Sequence, residues 1–167
     1  AEQALSYFPP GIALTRLYEN YPEIGGVGAL PENKPAVVEN LNAGFGFVQH
    51  IGHGYINTMA VGLGGGSLDN TDVAALTNGG KAGVLYAINC TSAAIDYNCI
   101  GEEWLRNPNG GAVADIGSTR FDFPGTGTSY QNEFYRLLFE APAHSVGEAF
   151  AGSKSAFTPS WDRTPRA

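Results

Sequence analysis

Apolar and polar positions change over in short blocks along this chain, and the two sharpest apolar blocks are residues 45–51 and 83–88. Each is rich in β-branched and aromatic side chains and is bounded by glycine or polar residues, the pattern of a buried strand. Between them, residues 70–79 start polar at Asn70, turn apolar through Val73 and Leu76, and stop at Gly79 and Gly80, which predicts a short crossover helix. Strand, helix and strand in that order imply parallel pairing. The other blocks predict a helix over 1–8, a strand over 12–18 and a loop with prolines at 22, 31 and 35. Helices follow over 34–43 and 99–106, then a strand over 111–117, an irregular Gly/Thr-rich segment to 129, and helices over 130–140 and 145–153. This alternation predicts an α/β fold with a mainly parallel sheet. Residues 158–167 carry two prolines and no periodicity, an irregular tail.

Composition narrows the reading without identifying an activity. A chain of 167 residues, 43% of them hydrophobic, is long enough for one domain with a real core. The formal charge of −7, from 9 basic against 16 acidic residues with no basic stripe, argues against nucleic acid and anionic membrane surfaces as partners. No apolar run is long enough to span a bilayer, and no secretory signal is present. The start at Ala1, Glu2 and Gln3, without an initiator methionine, suggests a fragment or a processed form. Two cysteines do not make a disulfide framework, so the redox compartment stays open. Asn89-Cys90-Thr91 matches a glycosylation acceptor but coincides with the candidate site below, and it is read as chance.

The candidate chemistry lies just past the two sharp strands, at Gly52-His53-Gly54 and at Asn89-Cys90-Thr91. In parallel sheets ligands bind outside the carboxyl ends of the strands, so His53 and Cys90 are placed to meet. A free cysteine with a pKa of about 8.5 is only a few per cent thiolate at neutral pH. A neighbouring imidazole takes the thiol proton and later returns it to an amine leaving group. The competing reading is an unrelated pair, a packed cysteine and a satisfied histidine. Glycines on both sides of His53 favour the site, since they let a substrate chain approach closely.

Other chemistries fit less well. His50 and His53 followed by Cys90 and Cys99 match no zinc-finger or ribbon spacing, so no metal is expected. The stretch 62–67, Gly-rich and ending in Ser67, lacks the Lys-Ser/Thr ending of a phosphate loop and reads as a mobile connector.

His50-Ile51-Gly52-His53-Gly54, then Leu76-Thr77-Asn78, then Val84 through Cys90, resemble in order and spacing the catalytic region of the gingipain-type cysteine peptidases, a family with the caspase-like fold. Residues 99–106 resemble that family's helix after the nucleophile, residues 110–119 its next strand and turn, and residues 145–150 a late helix. The likeness runs from about Leu17 to Lys154. It implies a caspase-like three-layer α/β sandwich with a mainly parallel sheet, formed by a catalytic subdomain over residues 1–156 with 157–167 as tail. It also implies that the family's upstream subdomain and the first strand of the catalytic one precede the region matching Ala1.

By that resemblance Cys90 is the nucleophile, His53 the general base and acid, and the N–H groups of Gly54 and Cys90 the oxyanion hole. His50 is a strand or supporting histidine, and Cys99 a reduced, packed residue at a helix start. The acidic partner of the histidine belongs to the absent upstream part; within this chain Asp69, Asp72 and Asn57 are the alternatives, each also readable as a loop or cap residue. Asp122 would lie beside the pocket for the P1 side chain and take a basic group, unless it faces solvent or Arg120 neutralises it. No cofactor is needed. The expected partners are a peptide or protein substrate and an upstream subdomain or pro-segment, and relatives of this kind are mainly secreted or surface proteins of bacteria. Two functions follow: a cysteine endopeptidase working through a thioester acyl-enzyme, or a non-catalytic binding or structural domain on the same scaffold.

Overall fold

The structure, a computed structural model, describes residues 2–19, 28–64, 66–141 and 143–157. In chain order its elements are α1 (Glu2–Leu5), β1 (Arg16–Tyr18), β2 (Ala29–Pro31), α2 (Lys34–Ala43), β3 (Phe47–Ile51), β4 (Gly54–Tyr55), β5 (Thr58–Ala60), β6 (Ser67–Asp69) and α3 (Asn70–Ala74). A 3-10 turn (Gly79–Lys81) precedes β7 (Val84–Ile88), and α4 (Ile100–Arg106), β8 (Ala114–Ile116), α5 (Pro124–Phe139) and α6 (Val146–Phe157) complete the order. The chain divides into two compact units, Ala13–Pro124 and Ala1–Ile12 with Gly125–Ala167.

The larger unit is built on a parallel sheet in the order β3-β7-β8. All five residues of β7 are buried, as a central strand of Val, Leu, Tyr, Ala and Ile requires when both of its faces are covered. Leu85 and Ala87, two residues apart and so on one face, join Leu41 of α2, Val73 of α3, Ile100 and Trp104 of α4, and Met59 and Leu68 of the β4-β5-β6 sheet in a single core. That second sheet is antiparallel and lies within the crossover from β3 to β7. Two buried amides fasten the loops beneath. Asn107 donates to the carbonyls of Val73 and Leu76 at 2.8 and 2.9 Å, and Asn78 exchanges two bonds with the Gly111 backbone.

In the smaller unit α5 buries Gln131, Phe134 and Tyr135, and α6 buries Ala149 and Ser153. The Phe8 ring lies 4.8 Å from those of both Tyr135 and Phe139. Ser145 and Glu148 cap the start of α6, the hydroxyl accepting from the Glu148 N–H while the carboxylate accepts from the His144 N–H.

The expected parallel pairing of residues 45–51 with 83–88 is present, and α2 occupies its expected span behind the Asn33 cap. Several short elements differ from expectation. The crossover helix ends at Ala74 rather than near 79, and the connector around residues 62–67 runs into β6. Strands of two or three residues, such as β2, β4 and β6, are too short to show an alternation. Residues 124–129 form the first turns of α5 although Gly125, Thr126, Gly127 and Thr128 have low helix propensity. Pro124 at the first helical position pre-sets the backbone there, and burial of Gly127 supports the turn. The predicted irregular tail over 158–167 lies outside the described residues.

Candidate active site

The last paired residues of β3 and β7 are Ile51 and Ile88, and one step further the Gly52 N–H donates to the Ile88 carbonyl at 3.2 Å. His53 and Cys90, each two residues beyond its strand, therefore leave the sheet from the same carboxyl edge of adjacent strands. The loops also touch, since the Asn89 side chain lies against Gly54 closely enough that a β-carbon there would stand 2.8 Å from Asn89 Cγ. The His53 carbonyl accepts from the Ala60 N–H at 2.9 Å, which pins its backbone through the β4–β5 hairpin while the residue stays exposed.

Cys90 is half-buried, and its Sγ lies 3.8 Å from the Asp122 carbonyl oxygen, a weak thiol bond. The chain then turns through Thr91 at φ 53°, left-handed backbone that a β-branched residue rarely adopts. Two backbone bonds hold that turn in place, Thr91 N–H to the Arg120 carbonyl at 2.9 Å and Ala93 N–H to the Ser118 carbonyl at 3.1 Å. Among the described residues the Cys90 N–H donates to no backbone carbonyl. Cys99 is fully buried at the N-cap of α4, and both thiols are free.

Arg120 does not neutralise Asp122. Its guanidinium pairs with Asp96 at 2.9 Å and donates to the Thr119 carbonyl. The Asp122 carboxylate accepts from the Ser118 hydroxyl at 3.0 Å and from the Phe123 N–H at 2.7 Å. Of the alternatives for orienting His53, Asp69 and Asp72 form the capping box of α3, and Asp72 also pairs with Lys34 at 2.6 Å. Asn57 sits exposed in the turn between β4 and β5. No group of three or more His, Cys, Asp or Glu side chains gathers around a possible metal position among the described residues.

Sequence reasoning passed over Asp115. Its carboxyl lies against Gly101 and Gly117, which also face Ser92 and Ala93 of the loop after Cys90, so that a β-carbon on Gly101 would collide with Oδ2. Burial pushes its pKa up to about 7. The signal was one acidic residue inside the apolar run 111–117.

Comparison with known proteins places this arrangement. The crystal structure of gingipain R, described as an Arg-specific cysteine proteinase, superposes with a TM-score of 0.66 at 22% identity, over 77% of this chain and 31% of that one. The complex of the pro- and mature domains of Porphyromonas gingivalis RgpB gives 0.65 at 21% identity, over 81% of this chain and 34% of that one. These likenesses show the caspase-like α/β sandwich, and the chain spans about a third of the length of the structures it matches. No curated protein matches the sequence. The model of Peptidase family C25 matches residues 1–165, nearly the whole chain, and with that match the protein belongs to Peptidase family C25.

Proposed function

We propose that this chain carries the catalytic centre of a cysteine endopeptidase, with Cys90 as nucleophile and His53 as general base and acid. The observation that carries this reading is the parallel register of β3 and β7, which brings the Gly52-His53-Gly54 and Asn89-Cys90 loops out of the same sheet edge. His53 takes the thiol proton, and Cys90 Sγ attacks the scissile carbonyl carbon. The N–H groups of Gly54 and Cys90 stabilise the oxyanion as it forms. Collapse breaks the C–N bond, the amine leaves with the proton from His53, and a thioester joins the acyl group to Cys90. Water deprotonated by His53 then attacks the thioester, releasing the acid and restoring the thiol.

Substrate class and setting follow by family membership and resemblance. A peptide or protein is the substrate, an extracellular or bacterial surface location suits the relatives, and an upstream subdomain or pro-segment is a natural partner. A basic P1 side chain would have to share Asp122 with Ser118 and the Phe123 N–H.

A thiol-directed probe tests the reading. Fast alkylation with a pH profile set by an imidazole, lost in Cys90→Ala together with peptide hydrolysis, is the expected result. Alkylation of Cys90 at the rate of an ordinary thiol, with no hydrolysis, would leave the non-catalytic scaffold as the better description.

A further inference from the structure

His50 lies in β3 three residues before His53, and its half-buried ring touches both loops of the candidate site. Nε2 is 2.8 Å from the Ala60 carbonyl oxygen, and Nδ1 is 3.4 Å from Nδ2 of Asn89. The other end of the Asn89 amide, Oδ1, accepts from the Ser92 hydroxyl, and Ser92 and Asn89 are themselves buried. A carbonyl only accepts, so Nε2 must carry the proton. Nδ1 is then an acceptor and can be met only by the Asn89 NH2, which leaves Oδ1 free to accept from Ser92. With the Asn89 amide oriented in this way, the donor directions along Ala60, His50, Asn89 and Ser92 agree only for neutral His50.

We propose that His50, Asn89 and Ser92 form a hydrogen-bonded relay that fixes the peptide presenting Cys90 against the Gly54 loop, with neutral His50 as a positioning residue. The relay's role in catalysis rests on the reading of Cys90 as nucleophile. Asn89 is the residue before Cys90, and its side chain packs on Gly54, so the relay spans the two segments whose N–H groups would form the oxyanion hole. Buried polar networks of this kind rigidify what they join when every member is satisfied.

The surroundings keep the ring neutral. Burial lowers the His50 pKa below its ordinary value, against smaller upward pulls from the Ala60 carbonyl and from Glu19. Glu19, after β1, is the charged group whose field reaches the ring; β5 presents the Ala60 carbonyl and the loop after β7 the Asn89 amide. Protonation at Nδ1 would set a donor against the Asn89 NH2 and break the relay.

The test uses the full chain. Imidazole 15N shifts should show His50 as the neutral Nε2–H tautomer at pH 7, charging only below the ordinary histidine range, with a shift on Asn89→Leu. Substitution His50→Leu should lower kcat by about ten- to a hundredfold, as expected for a small misplacement of the reacting groups, with KM within about twofold. Because Gln offers both a donor and an acceptor, His50→Gln should recover most of that loss, which mere loss of packing would not allow. An Nδ1–H or charged His50 at pH 7 overturns the relay, and so does a folded His50→Leu chain with unchanged kcat. Should the unsubstituted chain neither hydrolyse peptides nor alkylate rapidly, the peptidase reading falls, and the relay stands or falls on the tautomer alone.

Discussion

The side chain of Asn89 fills the space in front of Gly54, so that a β-carbon added to Gly54 would lie 2.8 Å from both Cγ and Nδ2 of Asn89. A methyl group there must push the amide aside. Substitution Gly54→Ala is therefore expected to lower kcat at least about tenfold through displacement of the Asn89-Cys90 peptide and the Gly54 N–H. Steady-state kinetics check this, and an unchanged kcat would remove Gly54 from the site.

The two cysteines should separate cleanly. Loss of hydrolysis is expected in Cys90→Ala and Cys90→Ser with the fold intact by circular dichroism. Cys99→Ser should retain most activity. Cys99 occupies the N-cap of α4 without a side-chain capping bond, a position where serine is favoured, so its hydroxyl can offset the cost of burial and hold the stability change within about 1 kcal/mol. Equal loss of activity from both positions would instead show a shared structural role.

Asp115 makes stability fall as pH rises. Its carboxyl titrates near 7 in the folded chain and near 3.8 when unfolded, so the native state holds a proton that the unfolded state releases. The cost starts near pH 4, grows up to pH 7 and is then constant, at most about 4 kcal/mol. Asp115→Asn keeps the size and removes the charge, so it should stabilise the chain at pH 8 and change little at pH 4. His50 acts in the opposite sense: its lowered pKa supplies stability above about pH 6.5 that is lost as pH falls. Urea unfolding of the parent chain and Asp115→Asn at these two pH values decides the point, with parallel profiles counting against a buried Asp115.

Asn107 should matter to stability more than its loop position suggests. It donates to the carbonyls of Val73 and Leu76 away from water, and accepts from the N–H of exposed Asn109. Asn107→Ala leaves the Leu76 carbonyl without its side-chain donor, while the Val73 carbonyl keeps the Leu76 N–H, and should cost about 1–3 kcal/mol. Thermal unfolding reads this as a lower Tm, and a drop within error would show that solvent replaces the amide.

Asp122 bears on specificity. If it meets a basic P1 side chain, Asp122→Asn should raise KM for Lys and Arg substrates about tenfold and leave leucine substrates near their original values. An equal effect on both classes would assign the carboxylate to holding Ser118 and the Phe123 N–H.

Much of the frame was readable from the chain itself, because residues 83–88 are a continuous apolar run whose strand is wholly buried, and residues 45–51 are a short block rich in aromatic and β-branched residues, although their strand is only half-buried. The span of α2 and the start of α6 were readable too, and the structure adds the caps that begin them, Asn33 and Ser145. So were His53 and Cys90 as candidates, each standing just beyond a strand. Short strands such as β4 and β6 were not, since they are defined by a partner across the sheet rather than by their own pattern. The first turns of α5 were not either, because burial there outweighs the low propensity of Gly and Thr. Arg120 illustrates the same limit at the site: neighbouring in sequence to Asp122, it pairs with Asp96, 24 residues away. The tautomer of His50 and the raised pKa of Asp115 likewise depend on which groups the fold brings to them. Local pattern set the strands and the reactive residue types; only tertiary packing decided which polar groups lose water and which partners replace it, because desolvation and hydrogen bonding act across space and not along the chain.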